Sequence, residues 1–225
     1  MHRFIIITSS LWLFLFILSG RPLAGYFENE WLLPVGKENR ETWNKAGLTS
    51  IGLFGKIRQA RPGIPEHLHT GVDFTRPGDN YTNEPVYPAA DGTVISIRDD
   101  GPYAQIIIVH TQGEKQLWTV YEHISGIQVE LGETVSVLEP IARFMNTEEL
   151  NNYGWQFDHL HFEIMKVMPK PVQPDPEKPD RFFDTFGLEC YDRENLLKRY
   201  FDPKEFFETQ WHLLDINILK KYSHP

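Results

Sequence analysis

Only one cysteine, Cys190, is present among 225 residues. That excludes an intrachain disulfide and every zinc site needing two or more thiolates from this chain. Positive charge is also scarce: 22 Lys and Arg stand against 31 Asp and Glu, a net charge of −9. A surface built to neutralise phosphates does not fit this balance, and nucleic acid is not an expected partner. No apolar run reaches the roughly 20 residues of a membrane-spanning helix. No HExxH pattern marks a helix-borne general base. What the chain does have is 41% hydrophobic residues, 13% aromatics and nine histidines. This supports a packed core, one domain with appendages, and any metal would have to sit on His, Asp or Glu.

His2 and Arg3 precede an apolar stretch from Phe4 to Leu18, and Ser19, Gly20, Pro22 and Ala24 follow. A positive end, an apolar stretch and small residues in that order read as a secretory signal. The stretch is too short to favour a permanent span, so cleavage after Ala24 is expected. An uncleaved membrane tether through residues 4–18 is the alternative. Removing Arg3 and Arg21 with the segment 1–24 takes the net charge from −9 to −11. The expected localisation is outside the cytoplasm, periplasmic or secreted. The absence of a basic wall-binding module or repeat favours the periplasm.

Residues 25–47 mix an apolar patch, Trp31-Leu32-Leu33-Pro34, with a polar run from Lys37 to Lys45, which suits an arm packed on a domain. From Leu48 onward, short β-type runs alternate with Gly, Pro, Asn and Asp clusters. Strands are predicted at 49–53, 71–75, 92–98, 104–110, 116–122, 134–138, 140–145 and 159–165. That spacing predicts a mainly β fold, an antiparallel sheet or sandwich, with an N-terminal signal segment and C-terminal helices. Five prolines between Pro169 and Pro179 bar residues 168–180 from a sheet interior and predict an extended loop. It is either a stiff surface connection or a recognition segment for a protein partner. Further on, Asp192 leads a helical stretch, and Asp202-Pro203-Lys204-Glu205 offers an N-cap, a Pro at the first helical position and a capping-box Glu. Phe207, Trp211, Leu214 and Ile218 then recur at helical spacing, as a face packed on the sheet or one open to a protein partner.

Two strand-like segments concentrate the histidines. In His159-Leu160-His161-Phe162-Glu163-Ile164 an extended chain puts His159, His161 and Glu163 on one face and Leu160, Phe162 and Ile164 on the other. In His69-Thr70-Gly71-Val72-Asp73-Phe74, His69 and Asp73 likewise share a face. If these strands are neighbours, His69, Asp73 and one of His159 and His161 converge on one ion. Two imidazoles and one carboxylate leave a fourth position open, the arrangement of a catalytic rather than a structural zinc. His67-Leu68-His69 is a second His-x-His pair, so the spacing alone is a weak signal; the coincidence of several segments is what counts. Tyr121 and His123, at strand spacing, are expected on one face and supply a further imidazole.

The segments His69-Thr70-Gly71-Val72-Asp73, Tyr121-Glu122-His123 and His159-Leu160-His161-Phe162-Glu163, in this order, resemble the HxGxD, YxH and HLHFE motifs of the lysostaphin/LytM-type zinc metallopeptidases. Pro88 to Val94, Val129 to Val135 and Tyr200-Phe201-Asp202-Pro203 are similar to further family segments. The resemblance covers roughly residues 48–207. It implies a zinc peptidase domain of the duplicated hybrid motif fold over that range, with a Pro-rich insertion at about 168–199 and a helical tail at 208–225. It implies one Zn2+ held by His69, Asp73 and His161, with His123 and His159 as non-ligand catalytic histidines. The implied activity is hydrolysis of peptide cross-links or bridges of peptidoglycan. The chain departs from the family pattern in three places: a longer stretch at Glu148 to Phe157, Asp158 where Pro is usual, and the insertion.

Zinc brings the pKa of a bound water toward about 7. One of His123 and His159 is then expected to take the proton, and the other to donate to the developing oxyanion. Tyr153, Trp155 and Trp118 either line the groove or, the commoner use of such rings, pack in the core or in loops; Glu163 either orients a ligand histidine or is an exposed or salt-bridged side chain. Cys190 reads as a small buried filler. The rival reading is an exported non-catalytic zinc-binding or amidase-activator-like module of the same fold. All five metal and catalytic positions are filled, which favours the enzyme.

Overall fold

The computed structural model describes residues 30–222, with side chains described through residue 215. The signal segment expected at 1–24, and the tether within it, lie outside the described residues. A short hairpin of β1 (Ile57–Arg58) and β2 (His67–Leu68) leads into β3 (Val72–Thr75). Next come β4 (Pro85–Val86), β5 (Gly92–Arg98), β6 (Gln105–Gln112), β7 (Lys115–Glu122), β8 (Ile124–Ser125), β9 (Thr134–Val135) and β10 (Ala142–Phe144). Helix α1 (Thr147–Tyr153) precedes β11 (His159–Met165). Then follow β12 (Lys170–Pro171), β13 (Phe183–Asp184), α2 (Arg193–Arg199), β14 (Tyr200–Phe201) and α3 (Pro203–Tyr222).

The main sheet is antiparallel with the order β14-β11-β7-β6-β5-β9, and β3 joins β11 alongside β14. Its centre is the β6–β7 hairpin, registered from Gln105↔Glu122 to Gln112↔Lys115. Two residues close that hairpin, and Gly113 takes the positive φ (60°) that such a tight turn requires. A smaller sheet, β4-β10-β8, packs beside it.

Alternation along the strands fills both faces of the main sheet, which is why these runs carry few polar positions. On one face Ile106, Ile108, Tyr121, Leu160, Phe162 and Ile164 meet Trp31, Leu33, Phe206 and Phe207. The N-terminal arm and α3 thus cover the same core, and Trp211 Nε1 donates to the Trp31 carbonyl (2.7 Å). On the other face Ile107, Trp118, Val120 and Met165 pack against Cys190, Leu196, Tyr200, Phe183 and Phe186. Each large apolar side chain so buried contributes about 1.5–3 kcal/mol. The insertion therefore has a structural task. Phe182 and Phe183 N–H groups reach Ser96 Oγ, and β12 pairs with β13, a two-stranded edge that tolerates Pro171.

The N-cap signals are realised. Asp192 accepts from Asn195 N–H at the start of α2, and Asp202 accepts from Lys204 N–H ahead of Pro203. Of the helical stripe, Phe207 is fully buried and Trp211 partly so, while Leu214 is exposed; Ile218 lies outside the described side chains.

Two expectations fail. Residues 49–53 form turns rather than a strand, although they run beside β3: Thr49 N–H donates to the Asp73 carbonyl and Asp73 N–H to that of Gly52. Gly55, with φ 71°, bends the chain away. The helix α1 was not expected, yet Asn146 and Glu149 form a reciprocal capping box at its start. That spacing is legible in the sequence as an N-terminus signal.

Candidate metal centre

Strand β11 is paired on both sides: His161 lies opposite Asp73 of β3 and Glu122 of β7. A regular pleat there directs Leu160, Phe162 and Ile164 inward, all with 0% exposure, and turns His159, His161 and Glu163 to the other face. Gly71 lets the preceding segment approach this strand. A Cβ at this position would come within 2.2 Å of the Phe162 carbonyl oxygen. The chain between His69 and Asp73 can therefore lie against β11 only with glycine here.

The result is a cluster of His69, Asp73 and His161. His69 Nε2 lies 2.9 Å from His161 Nδ1 and 3.0 Å from Asp73 Oδ1, and His161 Nδ1 lies 3.0 Å from the same oxygen. A tetrahedral site with bonds of about 2.0 Å has donor separations of roughly 3.3 Å, so the triangle is close to metal-binding size. The outer contacts orient the rings. His69 Nδ1 faces the Leu53 carbonyl (3.0 Å), which only accepts, so the proton sits there and Nε2 offers a lone pair. His161 Nε2 faces Glu163 Oε1 (3.1 Å), and that carboxylate also accepts from Thr70 Oγ1. Arg58 donates to the second oxygen of Asp73.

Electrostatically this donor set demands positive charge. Burial disfavours a charged His161, but the Asp73 and Glu163 carboxylates outweigh it and push its pKa up to about 10. Burial would raise the Asp73 carboxyl, yet His161 and His69 hold it far below the usual carboxylate range. Burial lowers His69 to about 4. A divalent cation held by these three atoms would meet the same demand in place of the proton on His161.

Beside the cluster, His159 Nε2 lies 3.8 Å from Asp73 Oδ1, and the rings of His123 and His159 meet edge-on at 4.8 Å. His123 Nδ1 donates to the Pro102 carbonyl (2.6 Å), which leaves Nε2 as an acceptor. Burial lowers both pKa values, that of His159 to about 4. Both are neutral at pH 7. Tyr103 and Phe157 hold His123 from two sides. A cleft of about 900 Å3 joins these groups, lined also by Ile57, Arg58 and Arg61 from the β1–β2 hairpin and by Thr185, Leu188 and Glu189 of the insertion.

One expected placement is corrected. Tyr121 and His123 do not share a face: His123 takes a left-handed backbone (φ 64°) just past the end of β7, so alternation stops there. Tyr121 stays in the core, its hydroxyl accepting from Ala89 N–H, while His123 turns to the cleft. Of the two readings of Trp118, core packing holds: it is buried beneath the insertion and does not line the cleft. Tyr153 and Trp155 are exposed outside the cleft, Trp155 beside Tyr81. Tyr103 and Phe157 take the lining positions instead. Asp158, in the place of a proline, binds the Arg76 guanidinium at 2.7 and 3.0 Å. Sequence reasoning missed Arg58, because a guanidinium reaching across fifteen residues leaves no periodic signal.

The described residues thus form an antiparallel sheet whose neighbouring strands β3 and β11, with the segment leading into β3, carry a His-Asp-His cluster able to hold a metal. Residues 67–174, just under half of the chain, match the family model of Peptidase family M23. No curated protein matches the chain. Among solved structures, a zinc containing peptidase from Vibrio cholerae is 27% identical, with a TM-score of 0.42 over 60% of this chain and 37% of that one. LytU is 26% identical, with a TM-score of 0.40 over 62% of this chain and 92% of that one. Lysostaphin from Staphylococcus simulans is 19% identical, with a TM-score of 0.46 over 79% of this chain and 56% of that one.

Proposed function

We propose that the chain is a zinc-dependent endopeptidase that hydrolyses peptide cross-links or bridges of peptidoglycan. The observation that carries this reading is the meeting, in one cleft, of a three-donor cluster with two neutral imidazoles that are not part of it. His69 Nε2, Asp73 Oδ1 and His161 Nδ1 would hold the metal, and their mutual distances fit it. When bound, zinc supplies Lewis acidity that makes water a nucleophile at neutral pH. The chain's own residues do the rest. His123 and His159, kept neutral by burial, stand ready to accept a proton from water and to pass it to the leaving amine. Pro102 fixes the His123 ring so that Nε2 faces the cleft. Glu163 and the Leu53 carbonyl fix the tautomers of the two ligand histidines. The cleft, at about 900 Å3, has room for several residues of a peptide. The signal-like residues 1–24 fit a site of action outside the cytoplasm, where such a substrate lies.

Incubating the purified protein with isolated peptidoglycan, with and without chelator, tests this. Mass spectrometry should find new peptide termini that disappear when the metal is removed. Intact sacculi in the presence of zinc-loaded protein would overturn the reading in favour of a binding module.

A further inference from the structure

Each oxygen of Asp73 has its own environment. Oδ1 faces His69 and His161. Oδ2 has Arg58 Nη2 as its hydrogen-bond partner, and the two side chains are only 15% and 3% exposed. We propose that Arg58 is a positioning residue of the metal centre: by occupying Oδ2 it leaves Asp73 a single oxygen for the ion and so keeps the remaining coordination position free. The proposal rests on the zinc reading above.

The local fold supports it. Arg58 lies in β1, opposite His67 of β2, so the hairpin that delivers His69 also delivers the guanidinium. His69 N–H donates to the Lys56 carbonyl (2.9 Å), and Gly55 N–H donates to that of His69 (2.8 Å). These bonds fix the spacing between ligand and positioning residue. The insertion secures the same hairpin from outside, through the bond from Leu68 N–H to the Cys190 carbonyl (2.8 Å). A carboxylate with both oxygens free could close on the ion with both. An ion pair at one of them prevents this and, by sharing the negative charge, leaves the metal a stronger Lewis acid. Arg58 is neither a ligand nor one of the paired imidazoles, and it acts through Asp73.

The test uses the full chain loaded with Co2+, whose visible absorption weakens as coordination rises from four to five, alongside kinetics of the zinc form. Arg58→Met keeps the aliphatic stem and removes the donor. It should weaken the cobalt bands and lower kcat by about 10–100-fold. Arg58→Lys, which keeps one cationic donor, should restore the wild-type spectrum and most of kcat. Unchanged spectrum and kcat in Arg58→Met would overturn the proposal, and so would equal loss in both variants, which would mark a packing role. A wild-type protein that takes up neither Co2+ nor Zn2+ would instead remove the metal centre itself.

Discussion

The triplet His-Leu-His occurs twice, at residues 67–69 and 159–161, and the two copies do different things. In β11 the triplet sits in a seven-residue strand flanked by partners, so strict alternation sends both imidazoles into the cleft and Leu160 into the core. In β2 it straddles the end of a two-residue strand. Leu68 is only partly buried there, and His67 Nδ1 is spent on the Pro65 carbonyl of its own turn (2.8 Å), while His69 alone reaches Asp73 and His161. The same three residues therefore bring two imidazoles to Asp73 in one place and one in the other. What separates them is the length of regular pairing around them, a property of the sheet and not of the triplet.

The comparison breaks hardest at His161. His161→Ala removes one of three donors and leaves Asp73 and Glu163 facing each other without the cation between them. The protein should lose its zinc by elemental analysis, and hydrolysis of peptidoglycan should fall by about 1,000-fold or more. A variant that keeps stoichiometric zinc would show that the cluster is not the binding site.

The next largest effect belongs to His123, which enters the cleft by a different route. His123→Ala should keep zinc and the fold, while kcat drops by about 100- to 10,000-fold, the range of a lost proton-transfer group. Zinc content and far-UV circular dichroism separate this outcome from the first. Retained activity would sink the proposed proton-transfer role.

His123 also marks where the sequence stops being readable. The seven strand segments from residue 71 to 165 could be traced from alternation and turn residues, because long buried strands leave a period-2 pattern. The triplet at 159–161 and the Gly71 spacing were legible for the same reason. The left-handed residue after β7 was not, since a single backbone reversal leaves no pattern and an alternation rule carries Tyr121 and His123 to one face. Trp118 stayed open between groove lining and core packing, because the insertion, 60 or more residues further on, covers a face that alternation alone leaves open to solvent. Helix α1 was within reach through Asn146 and Glu149, but seven residues are too few for a convincing helical period.

The smallest effect, and the sharpest check on the comparison, is at His67. It lines the same cleft and is nearly as buried as His69, at 7% against 5% exposure, so a count of cleft histidines would treat the two alike. Its ring is committed to the backbone of its own turn, and the donor triangle does not include it. His67→Ala forfeits one hydrogen bond to a carbonyl that sits near solvent, a loss of about 1 kcal/mol in stability. Zinc content should be unchanged and kcat within about twofold of wild type, with a small fall in Tm. A loss of metal or a hundredfold fall in kcat would mean that the two triplets are equivalent after all, and that the end of a strand matters less than the histidines it carries.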